Sequence, residues 1–122
     1  MDDLPLELTA FLVDRISSIE QLSVLRLLTA NPARAWTATQ ISLELRSAPS
    51  AIERRLTDLY EAGVLMPPSD GANGVRFTPP TEEVAALVAQ ALEAYRTRPR
   101  RVIELVYSKP DERVGAFGKD EP

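Results

Sequence analysis

Apolar residues return at helical spacing along most of the chain, and polar or helix-breaking residues separate the runs. From Pro5 to about Ser17, Leu8, Phe11, Leu12 and Ile16 share one side of a helix, with Pro5 suited to its first turn. Ser18 followed by Gln21 is a capping-box pattern, and a second helix follows with Ile19, Leu22, Leu25 and Leu28 on its buried side. Val24 and Leu27 widen that surface, so this helix is expected to pack on more than one face. Asn31-Pro32 ends it.

The stretch from Trp36 to Leu65 organises the rest. Ile41 and Leu45 sit four apart on a short helix, and Thr37 or Thr39 can cap its start. The corner Arg46-Ser47-Ala48-Pro49 places a proline where a new helix begins. Ile52, Leu56 and Leu59 then form one apolar stripe, and Gly63 stands where a left-handed cap needs a residue without Cβ. Two helices joined this way match a helix-turn-helix, although the spacing alone equally fits a helical hairpin in a small bundle. On the outward side of the second helix lie Ser50, Arg54, Thr57 and Glu61.

After Gly63, the β-prone runs Val64-Leu65-Met66 and Val75-Arg76-Phe77-Thr78 flank a turn-rich segment from Pro67 to Gly74. This predicts a β-hairpin in the position of a wing. Thr81 caps a long helix from Glu82 to about Thr97, whose apolar stripe is Val84, Leu87, Val88, Ala91, Leu92 and Tyr95. The stripe is wider than one small domain readily covers, which predicts a homodimer built on this helix with help from residues 4–16 or 102–106. Pro99 breaks the helix amid Arg96, Arg98, Arg100 and Arg101, and Val102, Ile103, Leu105 and Val106 suggest a last short helix. From Ser108 onward polar residues, Gly and Pro dominate, and disorder is expected unless the tail is bound; Val114-Gly115-Ala116-Phe117 is its one apolar docking point.

The expected architecture is mainly α with a small β-hairpin wing: a winged helix-turn-helix with extra N- and C-terminal helices. Its parts are an N-terminal helix over 1–18, the winged domain over 19–78, dimerising helices over 79–107 and a flexible tail over 108–122.

Composition narrows the chemistry. The chain has 122 residues, 44% of them hydrophobic, which suits one domain with a substantial core. It has no cysteine and no histidine, which removes disulfides, thiol redox sensing, zinc fingers and histidine acid–base catalysis. No Asp/Glu cluster has metal-ligand spacing, so neither an enzyme nor a cofactor is expected. There is no membrane-length apolar run, and Met1-Asp2-Asp3 lacks a basic leader pattern, so the expected location is cytoplasmic.

The net charge is −4 and the pI about 4.9, unusual for a nucleic-acid binder. Residues 34–78, however, carry five basic and five acidic side chains, so the acidity resides in the rest of the chain.

Thr37-Ala38-Thr39-Gln40-Ile41, Ser50 to Leu56 and Leu59-Tyr60-Glu61-Ala62-Gly63-Val64-Leu65 together resemble the winged-helix transcription regulators of bacteria and archaea, in the broad MarR/ArsR-like group. The resemblance spans roughly residues 19–78 and is specific for fold more than for function, because the same fold also serves as a protein-interaction module. It implies double-stranded DNA as partner, read by the second helix of the corner. Ala48, Pro49 and Ala51 depart from the polar or basic start usual in such helices, and the wing tip holds an Asp and no Lys or Arg. The candidate DNA contacts are Arg34, Arg46, Ser50, Arg54, Arg55 and Arg76, with Arg54 and Ser50 at base edges and Arg76 on phosphate or in the minor groove. Each arginine could instead be a surface cation paired with Glu44, Glu53 or Asp58.

Three functions compete on these residues. The first is a dimeric DNA-binding regulator without metal or redox sensing. The second is a winged-helix adaptor that binds a protein through its neutral face or the Val114–Phe117 segment. The third is a small-ligand sensor with a pocket between the long C-terminal helix and the core.

Overall fold

The computed structural model describes residues 4–69 and 74–108. Six helices follow one another: α1 (Leu6–Arg15), α2 (Ile19–Ala30), α3 (Ala38–Leu45), α4 (Pro49–Glu61), α5 (Glu82–Thr97) and α6 (Pro99–Val106). The second helix is the central one, packing on α3, α4 and α5, while α1 packs on α5 and α6. That position explains its broad apolar surface: Leu22, Val24, Leu25 and Leu28 are all fully buried.

Local chemistry sets most boundaries. Ser18 accepts the Gln21 backbone N–H, and Thr81 accepts that of Val84. At α3 the capping box is complete: Thr37 Oγ1 accepts from Gln40 N at 3.1 Å, and Gln40 Oε1 accepts from Thr37 N at 3.0 Å. Pro49 and Pro99 each open a helix, where a missing N–H costs nothing. Gly63, at φ 77°, closes α4 through the hydrogen bonds Gly63 N to Tyr60 O and Val64 N to Leu59 O. That pair is the Schellman arrangement, and the buried side chains of Leu59 and Val64 accompany it.

The wing is where expectation and structure part. Among the described residues no segment is a β-strand, and the fold they form is all-α. Residues 64–66 and 75–78 are joined only by Met66 N donating to Thr78 O at 2.8 Å. Val75 pairs instead with Trp36, in an isolated antiparallel bridge with hydrogen bonds of 2.9 and 2.8 Å. The reason lies in the flanks: Pro67, Pro68, Pro79 and Pro80 have no N–H to extend a ladder. Gly74, at φ 144°, lets the backbone pass against Trp36, since a Cβ there would lie 2.5 Å from the Trp36 carbonyl oxygen. Most of the expected wing tip, residues 70–73, lies outside the described residues, as does the chain after Ser108 with its Val114–Phe117 segment.

The α5 stripe is also differently used. Val84, Val88, Ala91 and Ala94 are buried, and Leu87, Leu92 and Tyr95 pack half-buried against the same core. The apolar width that pointed to a partner is largely consumed by α1, α2 and α6.

Candidate nucleic-acid interface

The α3–α4 corner turns through Arg46, Ser47 and Ala48. Arg46 takes the left-handed conformation, φ 58° and ψ 44°, and its N–H returns to Ser42 O. A non-glycine residue pays roughly 1 kcal/mol for that geometry, so the corner is held from elsewhere. What holds it is a polar cluster reaching from α2. Glu20 accepts hydrogen bonds from Ser47 Oγ and, at 2.9 Å, from Arg55 Nε. Arg55 also lies 3.8 Å from Asp58. Beside it, Gln21 is 1% exposed: its amide donates to Ser17 Oγ and Asp58 Oδ2 and accepts from Ser17 N. Together these residues fix the corner and α4 onto the α1–α2 junction. The Ser47 hydroxyl and then the Arg55 guanidinium hold the Glu20 carboxyl below its ordinary range.

The periodicity of α4 separates its residues by role. Ile52, Leu56 and Leu59 are buried, whereas Ser50, Glu53, Arg54, Thr57 and Glu61 are exposed. Ser50, Ala51, Arg54, Arg55, Thr57 and Asp58 line a shallow, open depression of about 560 Å³ on this helix. Ser50 and Arg54 therefore stand together on one surface, as expected, with Glu53 beside them.

The other candidates fall in different places. Arg55 is half-buried and engaged by Glu20, a partner that the local sequence did not suggest; Asp58 was foreseen. Arg46 is exposed at the corner. Arg34 stacks over the Trp36 ring at 3.5 Å from its centroid, and Arg76 Nε donates to Ala33 O at 2.9 Å. Both remain exposed, so two cations flank the Trp36–Val75 bridge. Trp36 itself is core, as expected, with its Nε1 buried and lacking an acceptor.

The residues missed by sequence reasoning are Glu20, Gln21 and Ser47. Only Gln21 carried a signal, through its capping position. A groove of about 670 Å³ does lie between α5 and the C-terminal end of α2, lined by Pro32, Phe77, Leu92 and Tyr95 with Arg26 at its edge. Among the described residues no group of His, Cys, Asp or Glu could hold a metal, and no helix is long and apolar enough to cross a membrane. Neither a family model, nor a curated protein, nor a solved structure matches the chain.

Proposed function

We propose that the chain is a winged-helix-type DNA-binding transcriptional regulator that works as a homodimer, with α4 as its reading helix. The observation that supports this reading is the outward face of α4. A short, clamped corner presents Ser50, Arg54 and Thr57 to solvent on a helix whose other side is core. A helix held in that way meets the steric requirement of a major-groove reader. Arg54 contacts base edges, Ser50 contacts a base or phosphate, and Arg46, Arg34 and Arg76 make phosphate contacts around it. Arg55 is withdrawn from this set, because Glu20 already holds it.

A second reading is a protein-binding adaptor on the same scaffold. It is favoured by Leu43, which is 75% exposed on α3, and by the small number of uncommitted cations at the corner. Binding to random genomic fragments across a salt series separates the two. A DNA reader weakens steeply as salt rises, because phosphate contacts release counterions, and Arg54→Ala relaxes sequence preference at the base it contacts. No binding at low salt would leave the adaptor in place.

A further inference from the structure

We propose that a second copy of this chain docks on the solvent face of α5, antiparallel, with the two-fold axis passing beside Ala89. The inference deepens the DNA-binding reading and rests on it for the expectation of a symmetric partner. It differs from the sequence expectation in the face used, since the Val84–Tyr95 stripe is turned inward.

The outward line of α5 is Glu82, Ala86, Ala89, Glu93 and Arg96, all exposed. Their spacing alternates four and three residues, the spacing of a seam between two helices. Its middle is alanine, with half-buried Ala85 alongside, so two such helices can approach to about 8 Å between axes. Apolar ground continues on both sides of Ala89. The groove of Phe77, Leu92 and Tyr95 lies on one side, and a second, lined by Leu4, Pro5 and Leu8, on the other.

Charge chooses the partner and its direction. The seam is acidic at its N-terminal end, with Glu82 and Glu83, and beyond its middle carries the Glu93–Arg96 pair, with Arg98 and Arg100 following just after the helix. A parallel copy would set Glu82 on Glu82 and Arg96 on Arg96. An antiparallel copy centred on Ala89 sets Glu82 of each protomer against Arg96 of its partner, twice, because both lie seven residues from the centre. Arg96 already holds Glu93 at 2.6 Å within its own helix, which fixes the guanidinium on this face. The opposed helix dipoles favour the same direction. The face is therefore complementary to itself, the property an isologous dimer requires.

The absence of cysteine makes the test direct. Ala89→Cys places two thiols across the two-fold axis, within the roughly 4.4–6.8 Å Cα separation that a disulfide spans. The full-length variant should cross-link to a covalent dimer under mild oxidation much faster than Thr39→Cys, an exposed control on α3. In sedimentation, Ala89→Glu should be monomeric, and it should still unfold cooperatively, at a temperature that no longer depends on protein concentration. Glu82→Arg or Arg96→Glu should each weaken self-association on the order of tenfold, two like-charge contacts arising per dimer, and the double exchange should restore it. A wild type that stays monomeric at hundreds of micromolar (on the order of a weak dimer's range) overturns the proposal. So does cross-linking no faster than the control. A dimer that binds no DNA supports the seam and overturns the DNA reading; a monomer that binds DNA does the reverse.

Discussion

Arg54 and Arg55 are neighbours in the chain and differ in what holds them. Arg55 points toward α2, where Glu20 and Asp58 take its guanidinium in a half-buried cluster. Arg54, about 100° away round the helix, stands exposed beside Ser50, in the depression that both arginines line. The inner flank of α4 spends its polar groups on fixing the corner. The outer flank leaves its polar groups for something else. Two arginines of identical chemistry thus contribute to different properties, one to the orientation of α4 and the other to what α4 can touch.

The largest effect that would test this contrast belongs to Gln21. It is buried and bonded to Ser17 and Asp58, so Gln21→Ala strands their partners and should cost about 1–3 kcal/mol of stability, read by denaturant unfolding. Unchanged stability would mean the inner cluster does not hold the corner. The arginine pair comes next. Arg54→Ala should lower affinity at a specific site by about 1–3 kcal/mol with no change in melting temperature. Arg55→Ala should do the reverse, losing about 1 kcal/mol of stability because its ion pair is only partly screened from water. If both variants shift the same property, the division of α4 into two flanks fails.

A pH series sharpens the inner side further. The Glu20 carboxyl titrates below its ordinary value of 4.5, first through Ser47 and then through Arg55. Its contribution is therefore present above that value and is lost as pH falls through the lower, folded one. Wild type should exceed Glu20→Gln in stability at neutral pH, and the difference should shrink in acid. A gap that stayed constant down to the acid transition would remove Glu20 from the cluster. The smallest effect is expected at the edge of the outer surface. Arg76→Ala should weaken all DNA sequences alike and reduce the salt slope by about one unit, as for a single phosphate contact. The loss of one exposed bond to Ala33 O should leave folding intact.

Much of the helical scaffold was legible because its signals are local. Pro49 as an opener, Gly63 as a closer and the caps at Ser18, Thr37 and Thr81 act within four residues of their targets. The limits Glu82–Thr97 follow from Thr81 at one end and Pro99 at the other. The expected hairpin strands do not form among the described residues. Val64–Met66 and Val75–Thr78 have strand-like residues, but proline flanks stop the ladder and Val75 finds Trp36, a residue 39 positions away.

What the sequence by itself determined is where helices start and stop, which residues form the core, and which chemistries cysteine and histidine would have supplied. What only the tertiary structure decided is which polar groups remain free. Helix periodicity gives a side chain its direction, but not what lies in that direction. Glu20 meets Arg55 across 35 positions, and Gln21 meets Asp58 across 37. Those pairings arise only once α2 and α4 bury their apolar faces together. The same packing turned the α5 stripe inward and left Ala86 and Ala89 facing water.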